Sequence, residues 1–187
     1  MTGVEEFERR LRLEALFHAH AGAVRAYARR RVGRVAADDT VSEVFVVAWR
    51  RLDDVPDDPL PWLLGCARNV VAHQHRRARR DVALAGRLGA VAVAPDAPDG
   101  APAQALSQLS DGALAQALSE LSDGDRELLL LIAWEGLTGA QAARALGCSR
   151  NALAVRLHRA RRRLAAALGR ADRKLAAGAP DPAKEAV

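Results

Sequence analysis

A stretch rich in Ala, Gly, Pro and Asp divides this chain into two parts. It runs from residue 83 to 103, and no large apolar residue follows Val93 within it. Such a composition cannot build a packed core and is typical of a flexible linker. In a chain of 187 residues, the linker leaves room for two small domains, predicted over 5–82 and 104–168. A large enzyme barrel is therefore excluded.

Both domains are predicted to be helical, so the expected fold class is all-α. Half of the residues are hydrophobic, but Ala and Leu supply much of that total, and aromatic residues make up only 4%. This mixture favours helices over strands. In the first domain, apolar residues recur every three or four positions, which predicts helices over 7–32 with a break near 20–22, over 41–52 after a cap at Asp38 or Asp39, and over 62–80.

The second domain carries clearer helix boundaries. Gly136 and Gly147 separate three predicted helices, and the last of them ends near Leu168. Thr138 and Gln141 have the spacing of a capping box, in which each side chain binds a free backbone amide at the helix start. The residues that follow, 169–187, are rich in Ala, Gly and Pro and are predicted to be a disordered tail.

The last two helices have the plan of a helix-turn-helix. A short turn at Gly147-Cys148 joins them, and small residues at Ala142 and Ala143 allow a close crossing. From residue 136 to 171 the chain has eight Arg and no acid, whereas 88–135 has eight acids and one base. A basic helix-turn-helix favours nucleic-acid binding over a merely solvated basic helix, because arginines reach phosphates and the start of the second helix reaches base edges.

Two surfaces of the first domain are candidates for binding. The helix over 62–80 is basic, which suits the backbone of a single nucleic-acid strand. The run of bases at 29–34 is predicted to contact a DNA strand as well. Trp49 and Trp62 fall on apolar stripes and are interpreted as core rather than as stacking platforms. The second candidate surface lies on the helix predicted over 41–52 and at its start. There, one face opposite the apolar stripe carries Asp39, Glu43, Val46 and Arg50. That face fits either protein docking or an ordinary solvated surface.

Other function classes lack support in the sequence. There is no GxxxxGK[ST], GxSxG or HExxH motif, and no catalytic residue, cofactor site or metal site is predicted. The His pairs are spaced i, i+2 and so do not share a helical face. Cys66 and Cys148 are far apart in sequence and are expected to be reduced thiols of a cytoplasmic protein. No apolar run approaches the roughly 20 residues of a membrane span, and no membrane insertion is expected.

Two strings of the sequence resemble a known family. The string ELSDGDRELLLLIAWEGLTGAQAARALGCSRNALAVRLHRARRRL is similar to region four of bacterial RNA polymerase sigma factors. The strings LFHAHAGAVRAYARRRVG and DDTVSEVFVVAWRRLDDVPDDPLPWLLGCARNVVAHQHRRARR are similar to region two. Only the linker stands between the two regions, which is the pattern of the extracytoplasmic-function (ECF) subfamily. The resemblance implies a factor that binds core RNA polymerase and directs promoter-specific initiation of transcription.

The resemblance also implies partners and site residues. Region four would read the minus-35 element, region two would melt the minus-10 element, and the partners would be promoter DNA, core RNA polymerase and an anti-sigma factor. The polymerase contacts would be the clamp helices of its largest subunit and the flap of its second-largest subunit. The expected residues are Arg150, Asn151, Val155, Arg156 and Arg159 for minus-35; Asn69, Arg76, Arg77 and Arg80 for minus-10; and Asp39, Ser42, Glu43, Val46 and Arg50 for the clamp helices.

Two alternatives to this function stay open at this point. One is a stand-alone helix-turn-helix regulator whose N-terminal domain senses a ligand or dimerises. The weaker one is an enzyme that acts on nucleic acid. A factor that needs the polymerase would initiate transcription only together with the core enzyme, whereas a regulator would bind duplex DNA alone as a dimer.

Overall fold

The computed structural model of the protein describes residues 3–87 and 112–178. Within these ranges the chain forms six α-helices and one 3-10 turn, without a strand. The helices are α1 (Gly3–Arg50), α2 (Pro59–Arg87), α3 (Gly112–Ser119), α4 (Asp123–Ala133), α5 (Gly139–Leu146) and α6 (Arg150–Gly178), with the 3-10 turn at Leu52–Asp54. The all-α prediction is confirmed.

Helix α1 changes direction at Gly33 rather than near residue 20. Gly33 has φ 76° and ψ −179°, a conformation that only glycine adopts without a steric cost. The predicted break at 20–22 is wrong, because the helix continues through it and buries Ala21. The predicted cap at Asp38 or Asp39 is also wrong, since both residues lie inside α1. Asp38 instead accepts a hydrogen bond from Arg25 Nε at 2.7 Å, which ties together the two arms of α1.

The first unit is formed by α1, the 3-10 turn and α2. Its core residues come from both helices and include Val24 and Val44 of α1 and Leu63 and Leu64 of α2, each at most 1% exposed. Because these residues repeat at helical spacing, each helix presents one apolar stripe to the other. Helix α2 continues to Arg87, so the first residues of the predicted linker are helical. The rest of that linker lies outside the described residues.

The second unit is formed by α3 to α6, and local signals fix its helix ends. Ser122 caps α4 by accepting a hydrogen bond from the amide of Asp125. Thr138 and Gln141 form the predicted capping box at the start of α5. Gly147 ends α5 with φ 66°, a left-handed conformation that favours glycine at this position. The helix-turn-helix plan predicted from the sequence is therefore present.

Helix α6 is longer than the sequence predicted. It extends to Gly178 instead of ending near Leu168, so the prediction of a disordered tail is wrong for 169–178. Ala167 and Ala171 are each 1% exposed, and Arg170 pairs with Glu120 at 2.6 Å. These contacts against the start of the unit stabilise the added turns. Residues 179–187 lie outside the described part of the chain.

The two units are in direct contact and share one apolar core. Buried side chains of α2, such as Leu64 and Ala67, belong to the same cluster as Leu131, Ala142 and Ala145 of the second unit. The helices approach each other closely at Gly65, where an added β-carbon would lie 3.0 Å from the carbonyl oxygen of Ala145. Nothing in the sequence indicates this contact. No helix in the described ranges is long and apolar enough to cross a membrane.

Candidate nucleic-acid and protein interfaces

The helix-turn-helix presents one edge of α6 to solvent. Leu153 and Ala160 are buried and Leu157 is half-buried, so the predicted inner face packs on the rest of the unit. Ser149 caps α6 by accepting a hydrogen bond from the amide of Ala152. Because α6 starts at the surface, its first turns are free to enter a major groove.

Four of the five residues predicted for the minus-35 element are exposed on this edge. They are Arg150, Asn151, Val155 and Arg159, and Val155 is 51% exposed. The fifth, Arg156, is half-buried and donates a hydrogen bond to the carbonyl oxygen of Gly124 at 3.2 Å. Arg156 therefore holds α6 against α4 in addition to any contact it makes with DNA.

Other arginines of the basic stretch are engaged in ion pairs. Arg163 pairs with Asp125, Arg170 pairs with Glu120, and Arg144 lies 3.3 Å from Asp58 of the first unit. The acids come from outside the basic stretch itself. The number of arginines available to bind phosphates is therefore smaller than the eight that the sequence of this stretch contains.

The basic face of α2 is exposed over the residues predicted for the minus-10 element. Asn69, Arg76, Arg77 and Arg80 are all exposed, and Arg80 donates to the carbonyl oxygen of Arg76. Trp62 is half-buried, with its partly covered ring packed against the core, as predicted. Trp49 is also half-buried, and the guanidinium of Arg9 lies over its ring.

The residues predicted to dock on the polymerase share an exposed face of α1. Asp39, Ser42, Glu43, Val46 and Arg50 are all exposed, and Val46 is 47% exposed. Hydrogen bonds orient two of the side chains on this face. Ser42 donates to the carbonyl oxygen of Asp38, and Glu43 accepts from Gln74 of α2 at 3.3 Å. An exposed valine among acids and a base is a suitable surface for a protein partner.

A cluster of charges between the two units was missed by the sequence reasoning. Arg31 donates from Nε to Glu127 at 2.9 Å and from Nη1 to Glu135 at 3.3 Å. Arg30 pairs with Glu135, and the hydroxyl of Tyr27 donates to Glu127 at 2.8 Å. The sequence predicts that the run of bases over 29–34 contacts a DNA strand. This is wrong for Arg31, which is 8% exposed and bound by acids of the second unit.

Burial and charge shift the pKa values of two members of this cluster. Burial, reinforced by the carboxylate of Glu127, holds the pKa of Tyr27 well above its ordinary value of 10.0. Burial lowers the pKa of Arg31, but Tyr27, Glu127 and Glu135 outweigh it, so that the net pKa is raised. Both groups therefore keep their protons, and the cluster holds two cations, two anions and a neutral phenol.

Sequence reasoning also missed an apolar groove on the second unit. It has a volume of about 180 Å³ and is lined by side chains of α3, α4 and α6 and by Trp134. The pattern that could have revealed it is the excess of Leu in α4, since one helix face cannot bury Leu128, Leu129, Leu130 and Leu131 together with Ile132. Leu114, Ile132, Trp134, Leu157 and Leu164 are only half-buried there.

Comparison with known families assigns both units. Residues 16–81 match the model of sigma-70 region 2, and residues 111–164 match that of sigma-70 region 4. The chain belongs to the sigma-70 family of RNA polymerase sigma factors, within the ECF subfamily. The first unit is therefore region two, the second is region four, and the resemblance found in the sequence is confirmed.

Named relatives agree with this assignment. The chain is 36% identical over 153 residues to RNA polymerase sigma factor CnrH from Cupriavidus metallidurans, covering 76% of this chain and 80% of CnrH. It is 31% identical to RNA polymerase sigma factor NccH from Alcaligenes xylosoxydans xylosoxydans, covering 66% of this chain and 68% of NccH. It is 35% identical to a Xanthomonas campestris pv. campestris protein named "Probable RNA polymerase sigma factor RfaY", but it spans only 32% of that protein's length.

Solved structures with similar folds are sigma factors in complexes. The sigma factor RpoE, crystallised with the anti-sigma factor NepR from Bartonella quintana, matches with a TM-score of 0.57 and 25% identity, over 83% of this chain and 96% of RpoE. CnrH in complex with the cytosolic domain of CnrY matches with a TM-score of 0.54 and 29% identity, over 84% of this chain and 87% of CnrH.

Proposed function

We propose that the chain binds core RNA polymerase and directs it to promoters that carry both a minus-10 and a minus-35 element. The observation that carries this proposal is the presence of both sigma regions on one chain, with all of the predicted binding residues except the half-buried Arg156 exposed. The stand-alone regulator is not favoured, because a region-two match covers its supposed sensing domain. The chain supplies recognition and melting in the cytoplasm, while the polymerase performs the chemistry.

Region four is proposed to bind the minus-35 element through the start of α6. The exposed Arg150 and Asn151 are proposed to donate to base edges in the major groove, and Val155 is proposed to contact a thymine methyl group. Arg159, two turns further along, is proposed to bind a phosphate. Arg156 is proposed to hold α6 against α4 through its hydrogen bond to the carbonyl oxygen of Gly124. Its positive charge is proposed to attract the DNA phosphates as well.

Region two is proposed to bind the minus-10 element as a single strand. Asn69 is assigned to a base that leaves the stack, and Arg76, Arg77 and Arg80 are assigned to the backbone of that strand. All four lie on an exposed face of one helix. The arginines attract the DNA backbone in either form, so the preference for the separated strand is assigned to the unstacked base held at Asn69.

Two surfaces are proposed to hold the polymerase. The face with Asp39, Ser42, Glu43, Val46 and Arg50 is assigned to the clamp helices of the largest subunit. The apolar groove of region four, with Leu114, Leu157 and Leu164 among its lining residues, is assigned to an apolar helix of the flap of the second-largest subunit. An anti-sigma factor, as in the complexes of RpoE and CnrH, would regulate the chain by covering one of these surfaces.

The test is transcription from a promoter template with purified core polymerase. We expect initiation at one start site only when the chain is added, and co-elution of the chain with the core enzyme. If the chain neither co-elutes nor gives specific initiation, yet binds duplex DNA alone as a dimer, the proposed function is wrong and the regulator interpretation holds.

A further inference from the structure

We propose that a basic cleft between region two and region four binds a nucleotide, whose phosphate lies among arginines and whose base lies on an apolar wall. The cleft has a volume of about 400 Å³, which is within the size range of small-molecule sites. None of its arginines is assigned above to promoter DNA or to the polymerase, so the site is independent of the proposed function. The five are Arg30, Arg31, Arg68, Arg79 and Arg126.

These arginines outnumber the acids around them. Asp123 and Glu127 also line the cleft, and Glu135 pairs with Arg30 and Arg31 although it is not part of the lining. Five guanidinium groups against three carboxylates leave an excess of two positive charges. Because a phosphate monoester carries up to about two negative charges near neutral pH, one such group balances the charge of the cleft.

The arginines have hydrogen-bonding capacity that the described part of the chain does not use. Arg68 is half-buried, and its guanidinium makes no hydrogen bond or ion pair within residues 3–87 and 112–178. In the same ranges, Nε of Arg30 and Nη2 of Arg31 are buried without a hydrogen-bond partner. Unpaired donors leave the positive charge of the cleft incompletely neutralised. Guanidinium groups bind phosphate oxygens strongly, through charge-assisted hydrogen bonds.

Helix α2 arranges the cleft as two basic ends around an apolar middle. Arg68, Ala72 and Arg79 are spaced at i, i+4 and i+11, so they share one face of α2. The two arginines are about 16 Å apart along the helix axis, and the small side chain of Ala72 leaves room between them. Leu130 and Trp134 of region four complete an apolar wall. A base packs on such a wall by dispersion and stacking.

The charge and the apolar wall together select the ligand. Free phosphate would balance the arginines but would leave the apolar wall uncovered. A nucleoside would cover the wall but would leave the excess of positive charge unbalanced. A nucleoside monophosphate does both, and AMP is therefore the probe for this site.

Two changes test the two parts of the site. Arg68→Gln removes a guanidinium that has no partner in the described ranges, so its loss breaks no contact described there. Ala72→Leu fills the apolar middle of the cleft and leaves every charge in place, and Leu is a good helix former.

Each change has a matched control. Arg29→Gln removes a base from an exposed position of α1 that is next to Arg30 in sequence but does not line the cleft. Ala19→Leu adds the same apolar side chain as Ala72→Leu, at an exposed position of α1 outside the cleft.

The measurement is isothermal titration calorimetry of AMP into the full chain, with inorganic phosphate and adenosine titrated in parallel. We expect one AMP per chain, and phosphate and adenosine should each bind at least about tenfold more weakly. Arg68→Gln and Ala72→Leu should each weaken AMP binding by about tenfold or more, whereas both controls should stay within about twofold of the wild-type chain. Thermal unfolding shows that each variant is folded, and AMP should raise the Tm only of proteins that bind it.

Four outcomes would overturn the nucleotide site. The first is a folded wild-type chain that does not bind AMP. The second is an equal affinity for AMP and for either phosphate or adenosine, which would remove the role of the wall or of the arginines. The third is an equal loss of affinity in Arg68→Gln and Arg29→Gln, which would indicate unspecific attraction. The fourth is displacement of AMP by a lower concentration of single-stranded DNA, which would assign the cleft to a DNA strand.

Discussion

Two of the arginine runs in the chain differ in burial. The run at 29–34 is drawn into the contact between the units, where Arg31 is buried against Glu127 and Glu135. In the run at 150–163, Arg150 and Arg159 stay exposed at the start of α6. Neither run contains an acid in the sequence. What separates them is the position of acids about 100 residues away, so a run of bases indicates anion binding without specifying whether the anion is a phosphate or a carboxylate of the same chain.

The largest effect should come from Arg31→Ala. Its removal leaves the buried carboxylates of Glu127 and Glu135 without their main partner, which should lower the free energy of unfolding by about 3–5 kcal/mol. Arg162→Ala, at an exposed position of the second run, should change it by less than about 0.5 kcal/mol. Urea denaturation of both variants measures this difference. Equal effects would show that the two runs are not distinguished by burial.

A smaller effect is expected from Arg159→Gln on DNA binding. Losing one phosphate contact should weaken binding to minus-35 duplex DNA by about tenfold and should reduce the slope of log affinity against log salt by about one. Arg31→Gln should leave that slope unchanged, since Arg31 does not face solvent. Fluorescence anisotropy over a salt series measures both. A reduced slope for Arg31→Gln would place the first run on DNA after all.

The smallest effect concerns Tyr27, the only tyrosine of the chain. Because its folded pKa is raised above 10.0, the stability that it contributes is fully present below pH 10 and is lost as the pH rises through the higher folded value. Tyrosinate absorbance should therefore appear only well above pH 10, and at a lower pH in Glu127→Gln. A midpoint near pH 10 in the wild-type chain would mean that Tyr27 is not buried between the units.

Local signals allowed much of region four to be predicted. Thr138 and Gln141 specify the start of α5, and Gly147 specifies its end, because capping and left-handed glycine depend on residues close in sequence. The break in α1 could not be assigned in the same way. Gly22 and Gly33 are both glycines in a helical pattern, and only the folded backbone shows that Gly33 takes the positive φ.

Contacts between segments that are distant in the chain could not be predicted from the sequence. Nothing in the neighbourhood of Gly65 or Ala145 indicates that they meet, and the acids at 127 and 135 look like ordinary exposed residues of a helix and a turn. The turns of α6 beyond Leu168 could not be predicted because an Ala-rich sequence fits a disordered tail as well as a helix. The contacts that make them helical, the burial of Ala171 and the ion pair of Arg170 with Glu120, appear only in the folded chain. All of the predicted site residues except the half-buried Arg156 are exposed in the structure, and their roles stay predictions.

The most direct test of the account measures two affinities for two charge-reversed proteins. One carries Asp39→Arg and Glu43→Arg on the docking face of region two, and the other carries Arg150→Glu and Arg159→Glu on α6. The account predicts that the first loses core-polymerase binding and keeps minus-35 duplex binding, and that the second does the reverse. If both proteins fail in both assays, the proposed separation of a polymerase surface from a DNA surface is contradicted.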